Sequence, residues 1–429
     1  LYLALYFAVF GLVVSSIKLL FIPSIWVILE YIRSHLLTGF SWALLGHTQY
    51  LNLPIIQIAD LTGAYGISFL IMMVNVSLYQ LIKARKIKES RMVYLLFLTI
   101  SFIVVLGYGF FRLNQKLDSQ GLKICVVQGN IPQALKWDES AKPFIWKRYL
   151  ELTKEASRQN PDLIIWPESA VPDYLDTQMI TDSNSRLSQI ESSDLKSLLN
   201  FVKKIKTPIL LGVTTVRADT YFNSAILISK DGEIISRYDK IHLVPFGEYI
   251  PLRKILPFLE TIVPIGDFTA GKDFVVFSYP ALSGRQAVKF STLICFEDIF
   301  PEISRQFVKQ GANFLVNITN DAWFGNTSAP YQHLSCSVFR AVENRVNLAR
   351  AANTGISSII DSNGKIISMV QDLRGAETFV SGFNAKQLFL NRRFSFYTKF
   401  GDIFVFGCAL FLGYNIAANL GLNGKRKDR

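Results

Sequence analysis

Long apolar runs without a charged residue occupy the first quarter of the chain and return near its C-terminus. The clearest are Leu61–Ile82 and Met92–Phe111, with Leu1–Ile17 at the start and Ile403–Ala418 near the end. A helix needs about 20 apolar residues to cross a bilayer. These runs therefore predict a membrane protein with several transmembrane helices.

A further candidate span, Trp26–Leu45, is weaker because Glu30 and Arg33 interrupt it. The two charged residues are three positions apart, so on a helix they share a face. We expect them to pair with each other away from lipid.

Between about Phe111 and Phe396 the pattern changes, because charges return and short β-rich runs alternate with helical stretches. Such alternation predicts an α/β domain with layered sheets. The strand candidates are Lys123–Val127, Leu163–Trp166, Ile209–Val213, Ser224–Ser229, Lys289–Ile294, Phe314–Ile318 and Ser357–Asp361. The helix candidates are Phe144–Arg158, Leu195–Lys204, Glu302–Gly311 and Leu334–Asn347.

Three domains follow from these patterns. Residues 1–111 form a transmembrane helical domain, residues 112–396 the α/β domain, and residues 397–429 a last span with a basic tail. The chain begins at Leu1 inside an apolar run, without an initiator methionine or the basic start of a signal peptide. We therefore expect the first spans of the transmembrane domain to be missing.

Composition supports the membrane prediction. Half of the 429 residues are hydrophobic and 18% are charged, whereas soluble domains carry about 25% charged residues. The net charge of +12 could indicate a nucleic-acid partner, but much of the clustered basic charge flanks the apolar runs, in Lys83–Arg91 and Lys425–Arg429. No nucleic-acid-binding motif accompanies it. We expect a lipid bilayer and no nucleic acid as partner.

The same basic clusters predict the orientation. The short loop within Lys83–Arg91 lies between two spans, and positively charged loops face the cytoplasm. The next span then places the α/β domain outside the cytoplasm, and the last span returns Lys425–Arg429 to it. We expect a multi-pass protein of the bacterial inner membrane with its α/β domain on the periplasmic side.

Cysteine and histidine usage narrows the chemistry. The four cysteines are far apart and form no CxxC pair, which argues against a zinc ribbon and a disulfide framework. The four histidines form no HExxH sequence. We expect no metal and no cofactor. The cysteines are Cys125, Cys295, Cys336 and Cys408.

Three residues of the α/β domain carry candidate chemistry. Glu168 follows an apolar strand in WPES and can act as a general base. Lys240, in YDKIHLVPFGEYIP, can hold a positive charge near a developing oxyanion. Cys295, in LICFED, ends an apolar strand before a helical turn, where backbone N–H groups can stabilise a thiolate.

Each residue taken alone has a plainer explanation. These are a solvated glutamate, a surface lysine paired with Asp239, and a buried cysteine that only packs. A carboxylate, a lysine and a thiol in this order, about 70 and 55 residues apart, instead fit nucleophilic catalysis by an activated thiol.

Glu168, Lys240 and Cys295 resemble the Glu-Lys-Cys triad of the carbon-nitrogen hydrolase (nitrilase) superfamily. The resemblance runs from about Leu122 to Phe383 and implies the nitrilase-like α-β-β-α sandwich. Further segments resemble the apolipoprotein N-acyltransferase branch. They are GFSW at 39–42, GHTQ at 46–49, GEYIP at 247–251, NDAWFG at 320–325, APYQH at 329–333, RAVENR at 340–345 and RAANTG at 350–355.

The resemblance implies acyl transfer in two steps. Glu168 takes the proton of Cys295, and the thiolate attacks an acyl ester of a phospholipid. Lys240 and the backbone amide of Phe296 stabilise the oxyanion, and a thioester results. The amine of a diacylglyceryl-cysteine at the N-terminus of a lipoprotein then accepts the acyl group. Phe296 departs from the tyrosine that is frequent in relatives, so a hydroxyl role there is lost.

Other positions have supporting roles by the same resemblance. Glu248 and Glu297 are expected to orient Lys240 or the cysteine loop. Two apolar segments, Trp323-Phe324 and the loop with Phe246 and Tyr249, are candidates for keeping water from the thioester. The alternative for both segments is ordinary packing.

Two other functions fit parts of this pattern. A membrane-tethered amidase or nitrilase would use the same triad with water as acceptor, but a soluble amide needs no bilayer. A non-catalytic membrane scaffold would retain the sandwich as a binding module, but Glu168, Lys240 and Cys295 are all present.

Overall fold

The computed structural model describes residues 2–83, 88–115, 121–176, 193–251, 268–279, 287–390 and 395–427. The chain divides into two compact units. Unit 1 comprises Leu1–Lys116, Val338–Arg345 and Arg393–Arg429, and unit 2 comprises Leu117–Ser337 and Val346–Arg392. The basic loop within Lys83–Arg91, used above for the orientation, lies partly outside the described residues.

The α-helices are numbered in chain order through both units. They are α1 Tyr2–Val14, α2 Ile22–His35, α3 Leu53–Ile56, α4 Ala59–Thr62, α5 Ala64–Lys83, α6 Lys88–Leu113, α7 Lys142–Ser157, α8 Ser193–Ile205, α9 Pro301–Lys309, α10 Ala329–Asn344, α11 Phe396–Phe400 and α12 Ile403–Lys427. Short 3₁₀ helices include Leu19–Phe21, Leu36–Thr38, Gln133–Leu135, Cys295–Ile299 and Asp321–Phe324.

Unit 1 consists of apolar helices. Among the described residues, Leu19–Thr38, Ala64–Lys83 and Leu95–Leu113 are long and apolar enough to cross a bilayer. Leu96 and Ile103, on the third of these helices, are more than half exposed. Apolar side chains that remain exposed on a long helix are typical of a lipid-facing surface, so the predicted membrane character is confirmed for these three segments.

Two predicted spans differ in the structure. Only Tyr2–Val14, 13 residues, is helical in the predicted span Leu1–Ile17. The candidate span Trp26–Leu45 was placed too far along the chain, because the apolar helical segment runs from Leu19 to Thr38. Its α-helix, α2, ends at His35, just ahead of Leu37 and Gly39 with φ of 53° and 85°, and residues of positive φ terminate helices.

Glu30 and Arg33 are buried, as predicted, but they do not pair with each other within the described residues. Glu30 Oε1 accepts a hydrogen bond from the backbone N–H of Leu45 at 2.7 Å. Arg33 donates to the carbonyl oxygen of Trp42 at 3.2 Å. Both charged side chains therefore fix the loop that follows their helix.

Unit 2 contains the strands, numbered in chain order. They are β1 Gly121–Gln128, β2 Leu163–Ile165, β3 Tyr174–Asp176, β4 Ile209–Arg217, β5 Thr220–Ile228, β6 Ile234–Asp239, β7 Phe277–Tyr279, β8 Val288–Ile294, β9 Phe314–Thr319, β10 Asn347–Ala352, β11 Ser358–Ile360, β12 Ile366–Met369 and β13 Gly382–Phe389. Each of the seven strand candidates from the sequence overlaps one of these strands, and Leu163–Trp166, Ser224–Ser229 and Ser357–Asp361 extend one residue beyond one or both ends of theirs.

The strands form two mixed sheets within the described part of the chain. One has the order β13-β1-β2-β4-β5-β6, with β3 also paired to β4, and the other has the order β12-β11-β10-β9-β8-β7. β1 lies against β10 and β5 against β8, while α7 packs on the first sheet and α9 on the second. This arrangement is the predicted α-β-β-α sandwich.

Aromatic packing in the core holds the segment that leads to Glu168. Trp166 is fully buried, stacks on Tyr149 of α7 with ring centroids 4.9 Å apart, and donates from Nε1 to Thr153 Oγ1 at 2.8 Å. Burial of an indole with its N–H satisfied is strongly stabilising. The chain two residues before Glu168 is therefore held rigidly between sheet and helix.

Candidate active site

The three predicted catalytic residues follow strands of unit 2 and lie close together. Glu168 follows β2, Lys240 directly follows β6, and Cys295 directly follows β8. Lys240 Nζ lies 3.8 Å from Glu168 Oε1, and both charges act on the Cys295 thiol. The fold thus assembles residues that are far apart in the sequence.

The backbone is strained at three positions in the segments that carry these residues. The φ angle is 47° at Ser169, beside Glu168, 60° at Phe246, and 52° at Cys295 itself. A left-handed conformation at a residue with a Cβ costs of order 1–3 kcal/mol and is concentrated at functional sites. At Cys295 it bends the chain from β8 into the 3₁₀ helix Cys295–Ile299, so the thiol is carried at the bend.

The Glu168 carboxylate is held by two donors. Glu168 is 7% exposed. Its Oε1 accepts from Asn223 Nδ2 at 2.7 Å, and its Oε2 accepts from the backbone N–H of Asn320 at 2.9 Å. A buried carboxylate with one donor on each oxygen has a fixed orientation, as a positioned proton acceptor requires.

Lys240 is a fixed cation. Its Nζ lies 2.9 Å and 2.8 Å from the two carboxylate oxygens of Glu248, and the residue is 1% exposed. Burial lowers the pKa of Lys240, but Glu248 and Glu168 outweigh burial and hold it above its ordinary value. Glu248 thus has the geometry expected of a residue that orients Lys240 and stabilises its protonated form.

Glu297 ties the cysteine loop to the lysine segment. Its fully buried carboxylate accepts from the backbone N–H groups of Ile241 and Ile294, each at 2.7 Å. Ile241 follows Lys240 and Ile294 precedes Cys295. Burial raises the pKa of Glu297 to about 7. The contacts are those of an anchor between two parts of the site.

The surroundings of Cys295 oppose ionisation of its thiol. Burial and the Glu168 carboxylate raise the pKa of Cys295, and the Lys240 ammonium offsets only part of this rise. A preformed thiolate is therefore disfavoured. Attack by sulfur requires that a base remove the proton during the step, and the neighbouring carboxylate is Glu168.

A buried cluster of four charged groups contacts the backbone of Cys295. His333 contacts Asp298 through Nε2 at 2.7 Å and Asp321 through Nδ1 at 2.8 Å. Arg350 lies 3.0 Å from each of the same two carboxylates. His333 Nε2 also lies 3.3 Å from the carbonyl oxygen of Cys295. Two carboxylates and two cations balance one another, which buried charges require, and they support the strained turn.

This cluster predicts a loss of stability in alkali. Burial and Arg350 oppose a charge on His333, but Asp298 and Asp321 outweigh them and raise its pKa to about 9. A raised pKa stabilises the fold fully below the unfolded value of about 6.5, and this contribution is lost as pH rises through 9. The expected decrease is up to about 3 kcal/mol.

The measurement is thermal unfolding in detergent at pH 6 and pH 9.5, for the parent and for His333→Gln. The parent should lose markedly more stability between the two pH values than the variant, which has no imidazole to titrate. Equal losses in both proteins would contradict a stabilising charge on His333.

Several of the remaining predicted residues carry exposed apolar side chains. Trp323 and Phe324, in the 3₁₀ helix Asp321–Phe324, are 68% and 42% exposed, and Phe246 is 52% exposed. The backbone N–H of Phe246 donates to the carbonyl oxygen of Tyr249 at 2.9 Å. Phe296, partly buried, follows Cys295 in the first turn of its 3₁₀ helix. Covering and oxyanion roles for these residues stay predictions.

Two residues that touch the triad were not recognised in the sequence. Asn223 donates from Nδ2 to Glu168 Oε1 at 2.7 Å and to Glu248 Oε1 at 2.8 Å. Lys136 donates from Nζ to the backbone carbonyl oxygen of Glu168 at 2.9 Å. Neither belongs to a recognisable motif, and both are brought to the site by long-range packing.

Two family profiles match different parts of the chain. The sequence profile of carbon-nitrogen hydrolases matches residues 123–379, and that of the apolipoprotein N-acyltransferase N-terminal domain matches residues 1–77. A solved amidase from Nesterenkonia sp. is 19% identical, with a TM-score of 0.44, and the match covers 64% of this chain and 93% of that chain.

Curated relatives match across both units. The apolipoprotein N-acyltransferase of Geobacter metallireducens is 43% identical, over 95% of this chain and 76% of the relative. That of Allorhizobium ampelinum is 34% identical, over 80% and 62%, and that of Rickettsia bellii is 33% identical, over 90% and 73%. The chain thus spans 62–76% of the length of these relatives. At this level of identity and coverage, the chain belongs to the apolipoprotein N-acyltransferase family, a membrane branch of the carbon-nitrogen hydrolases.

Proposed function

We propose that this protein transfers a fatty acyl group from a phospholipid to the N-terminal amine of diacylglyceryl-cysteine in apolipoproteins, through a thioester on Cys295. The observation that carries the proposal is the buried network of Glu168, Lys240 and Glu248 beside a thiol on a strained turn. Its occurrence together with three helices of membrane-spanning length among the described residues favours a lipid substrate.

In the first step, Glu168 accepts the thiol proton while the sulfur of Cys295 bonds to the ester carbonyl carbon. Lys240, with the backbone N–H of Phe296, stabilises the resulting oxyanion. Collapse breaks the carbon–oxygen bond, and the protonated Glu168 returns its proton to the leaving glycerol oxygen. The products are a lysophospholipid and the thioester.

In the second step, the amine of the lipoprotein attacks the thioester carbonyl carbon. Glu168 accepts a proton from the nitrogen, the carbon–sulfur bond breaks, and Glu168 delivers the proton to the departing sulfur of Cys295. The product carries a third acyl chain, on nitrogen, and the thiol is restored.

Both substrates are anchored in a bilayer, so an enzyme held there meets them at a high effective concentration. Residues 1–111 and 397–429 would hold the membrane-embedded part, and residues 112–396 the catalytic domain on the periplasmic side of the inner membrane. The test of this orientation is protease digestion of spheroplasts. Cleavage of the catalytic domain only after lysis would refute it.

The exposed aromatic residues fit a cover for the thioester. Trp323, Phe324 and Phe246 offer apolar surface to an acyl chain, and Tyr249 shares a backbone hydrogen bond with Phe246. Exclusion of water is what distinguishes a transferase from a hydrolase with the same triad.

The experiment is incubation of detergent-purified protein with a phospholipid and a diacylglyceryl-cysteine peptide, followed by mass analysis of the peptide. N-acylated peptide and lysophospholipid in equal amounts are expected. Free fatty acid without acylated peptide would favour a hydrolase. No turnover of either substrate would favour a scaffold.

A further inference from the structure

A second lysine lies at the site, on a turn with no role in the steps above. Lys136 follows the 3₁₀ helix Gln133–Leu135 and is 8% exposed. Its Nζ donates to the backbone carbonyl oxygen of Glu168 at 2.9 Å. Lysine is seldom buried without a charged partner, because removing an ammonium from water is costly.

Only one of the three N–H donors of the Lys136 ammonium has a hydrogen-bond partner among the described residues. An ammonium carries three N–H donors, and the bond to Glu168 is its only hydrogen bond within the part of the chain that the structure describes. No carboxylate of the described residues forms an ion pair with it. Two donors of a buried cation are therefore available for an acceptor that the described residues do not supply.

Gln133, three residues earlier on the same turn, also has a buried N–H donor without a hydrogen-bond partner among the described residues. Its Oε1 accepts from Asn320 Nδ2 at 2.8 Å, whereas its Nε2 is buried and has no hydrogen-bond partner among the described residues. The backbone N–H of Asn320 in turn holds Glu168 Oε2. Lys136 and Gln133 thus flank Glu168 with unused donors.

The turn that carries them is rigid. Asn353 accepts from the backbone N–H of Ile131 at 2.9 Å and donates to its carbonyl oxygen at 2.7 Å. Asn353 also donates to Asn320 Oδ1 at 3.0 Å. Donors fixed in advance stabilise a developing charge without reorganisation.

From these contacts we infer that Lys136, assisted by Gln133, is a second catalytic cation that donates hydrogen bonds to the reacting acyl carbonyl oxygen. The inference rests on the proposed acyl transfer. Lys136 is close enough to Glu168 and Cys295 for both to raise its pKa against the effect of burial, which dominates and lowers the pKa to about 8. Lys240 and Lys136 would then share the oxyanion, each held by a different glutamate, Glu248 and Glu168.

The test compares Lys136→Met, Lys136→Arg and Gln133→Ala with the parent. Lys154→Met, an exposed lysine on α7, is the matched control. The rate of thioester formation is measured with a phospholipid and with a p-nitrophenyl acyl ester, which lacks a phosphate. Loss of one oxyanion donor typically costs about 10²–10³-fold in rate.

We expect Lys136→Met to slow thioester formation about 100-fold with both donors, with the loss in kcat. Lys136→Arg should recover part of the rate, Gln133→Ala should lose about 10-fold, and Lys154→Met should match the parent. A Lys136→Met rate within threefold of the parent would overturn the inference. A loss confined to the phospholipid would also overturn it, because the cation would then bind the phosphate.

Alkylation of Cys295 by iodoacetamide at pH 7, where the Lys136 ammonium is charged, gives a readout that needs no acyl donor. Removal of this cation should slow alkylation of Lys136→Met about 10-fold relative to the parent, at unchanged melting temperature, and the difference should shrink above the Lys136 pKa of about 8. If the parent forms no thioester, the proposed function fails, and the alkylation rate at pH 7 still tests the role of Lys136. Equal alkylation rates of Lys136→Met and the parent at pH 7 would then refute that role. Should Lys136→Met not fold, the Lys136→Arg and Gln133→Ala rates decide in the same way.

Discussion

Cys295→Ala is expected to abolish acyl transfer, with a loss of about 10⁶-fold, the size found when other enzymes lose their nucleophile. The reason is that the acyl group bonds to the sulfur, and no other described nucleophile replaces it at the bend after β8. Intact-mass analysis after incubation with phospholipid should show an acyl-sized, hydroxylamine-labile adduct on the parent and none on the variant.

Cys336→Ala is the control, because Cys336 is fully buried in α10 and has no proposed chemical role. Its adduct should equal that of the parent. An adduct of full yield on Cys295→Ala would show that another residue carries the acyl group, and the thioester mechanism would then be wrong.

Glu168→Gln is expected to slow thioester formation about 10³-fold, within the range for loss of a general base. Glutamine keeps the size of the side chain and an oxygen acceptor but cannot take the thiol proton. Because burial raises the pKa of Cys295, little thiolate exists at neutral pH without that base.

The pH dependence distinguishes this loss from misplacement of the side chain. Between pH 7 and 9 the Glu168→Gln rate should rise nearly tenfold per unit, since hydroxide replaces the missing base, while the parent rate should not rise in this way. Glu155→Gln, on the exposed side of α7, should resemble the parent. A flat profile for Glu168→Gln would count against a role in proton removal.

Much of unit 2 could be predicted from the sequence because its central strands are apolar and bounded by turn residues. The strands without this pattern were missed. β10 contains Arg350 and three alanines, and the sequence placed its first residue, Asn347, at the end of a helix. The helix instead ends at Asn344, before Arg345 at φ 55°. β13 is amphipathic and pairs with β1, which a local pattern does not reveal.

The site residues also differ in whether the sequence alone identifies them. Glu168, Lys240 and Cys295 each follow a strand and have neighbours that identify them. Lys136 and Asn223 do not, because their importance arises only when the sheets pack and bring them to Glu168. The interactions of Glu30 and Arg33 with the backbone of the loop were also beyond the sequence, since helical spacing indicates only that they share a face.

At Cys295 the residue that best suits the left-handed backbone is not a residue that can act as the nucleophile. Glycine is the residue best suited to φ of 52°, yet it would remove the nucleophile. Cys295→Gly should therefore unfold at a higher temperature than Cys295→Ala, by an amount equivalent to about 1 kcal/mol, while both are inactive. With cysteine at this bend the fold is less stable than glycine would make it, and the loss of stability accompanies the residue that can act as the nucleophile.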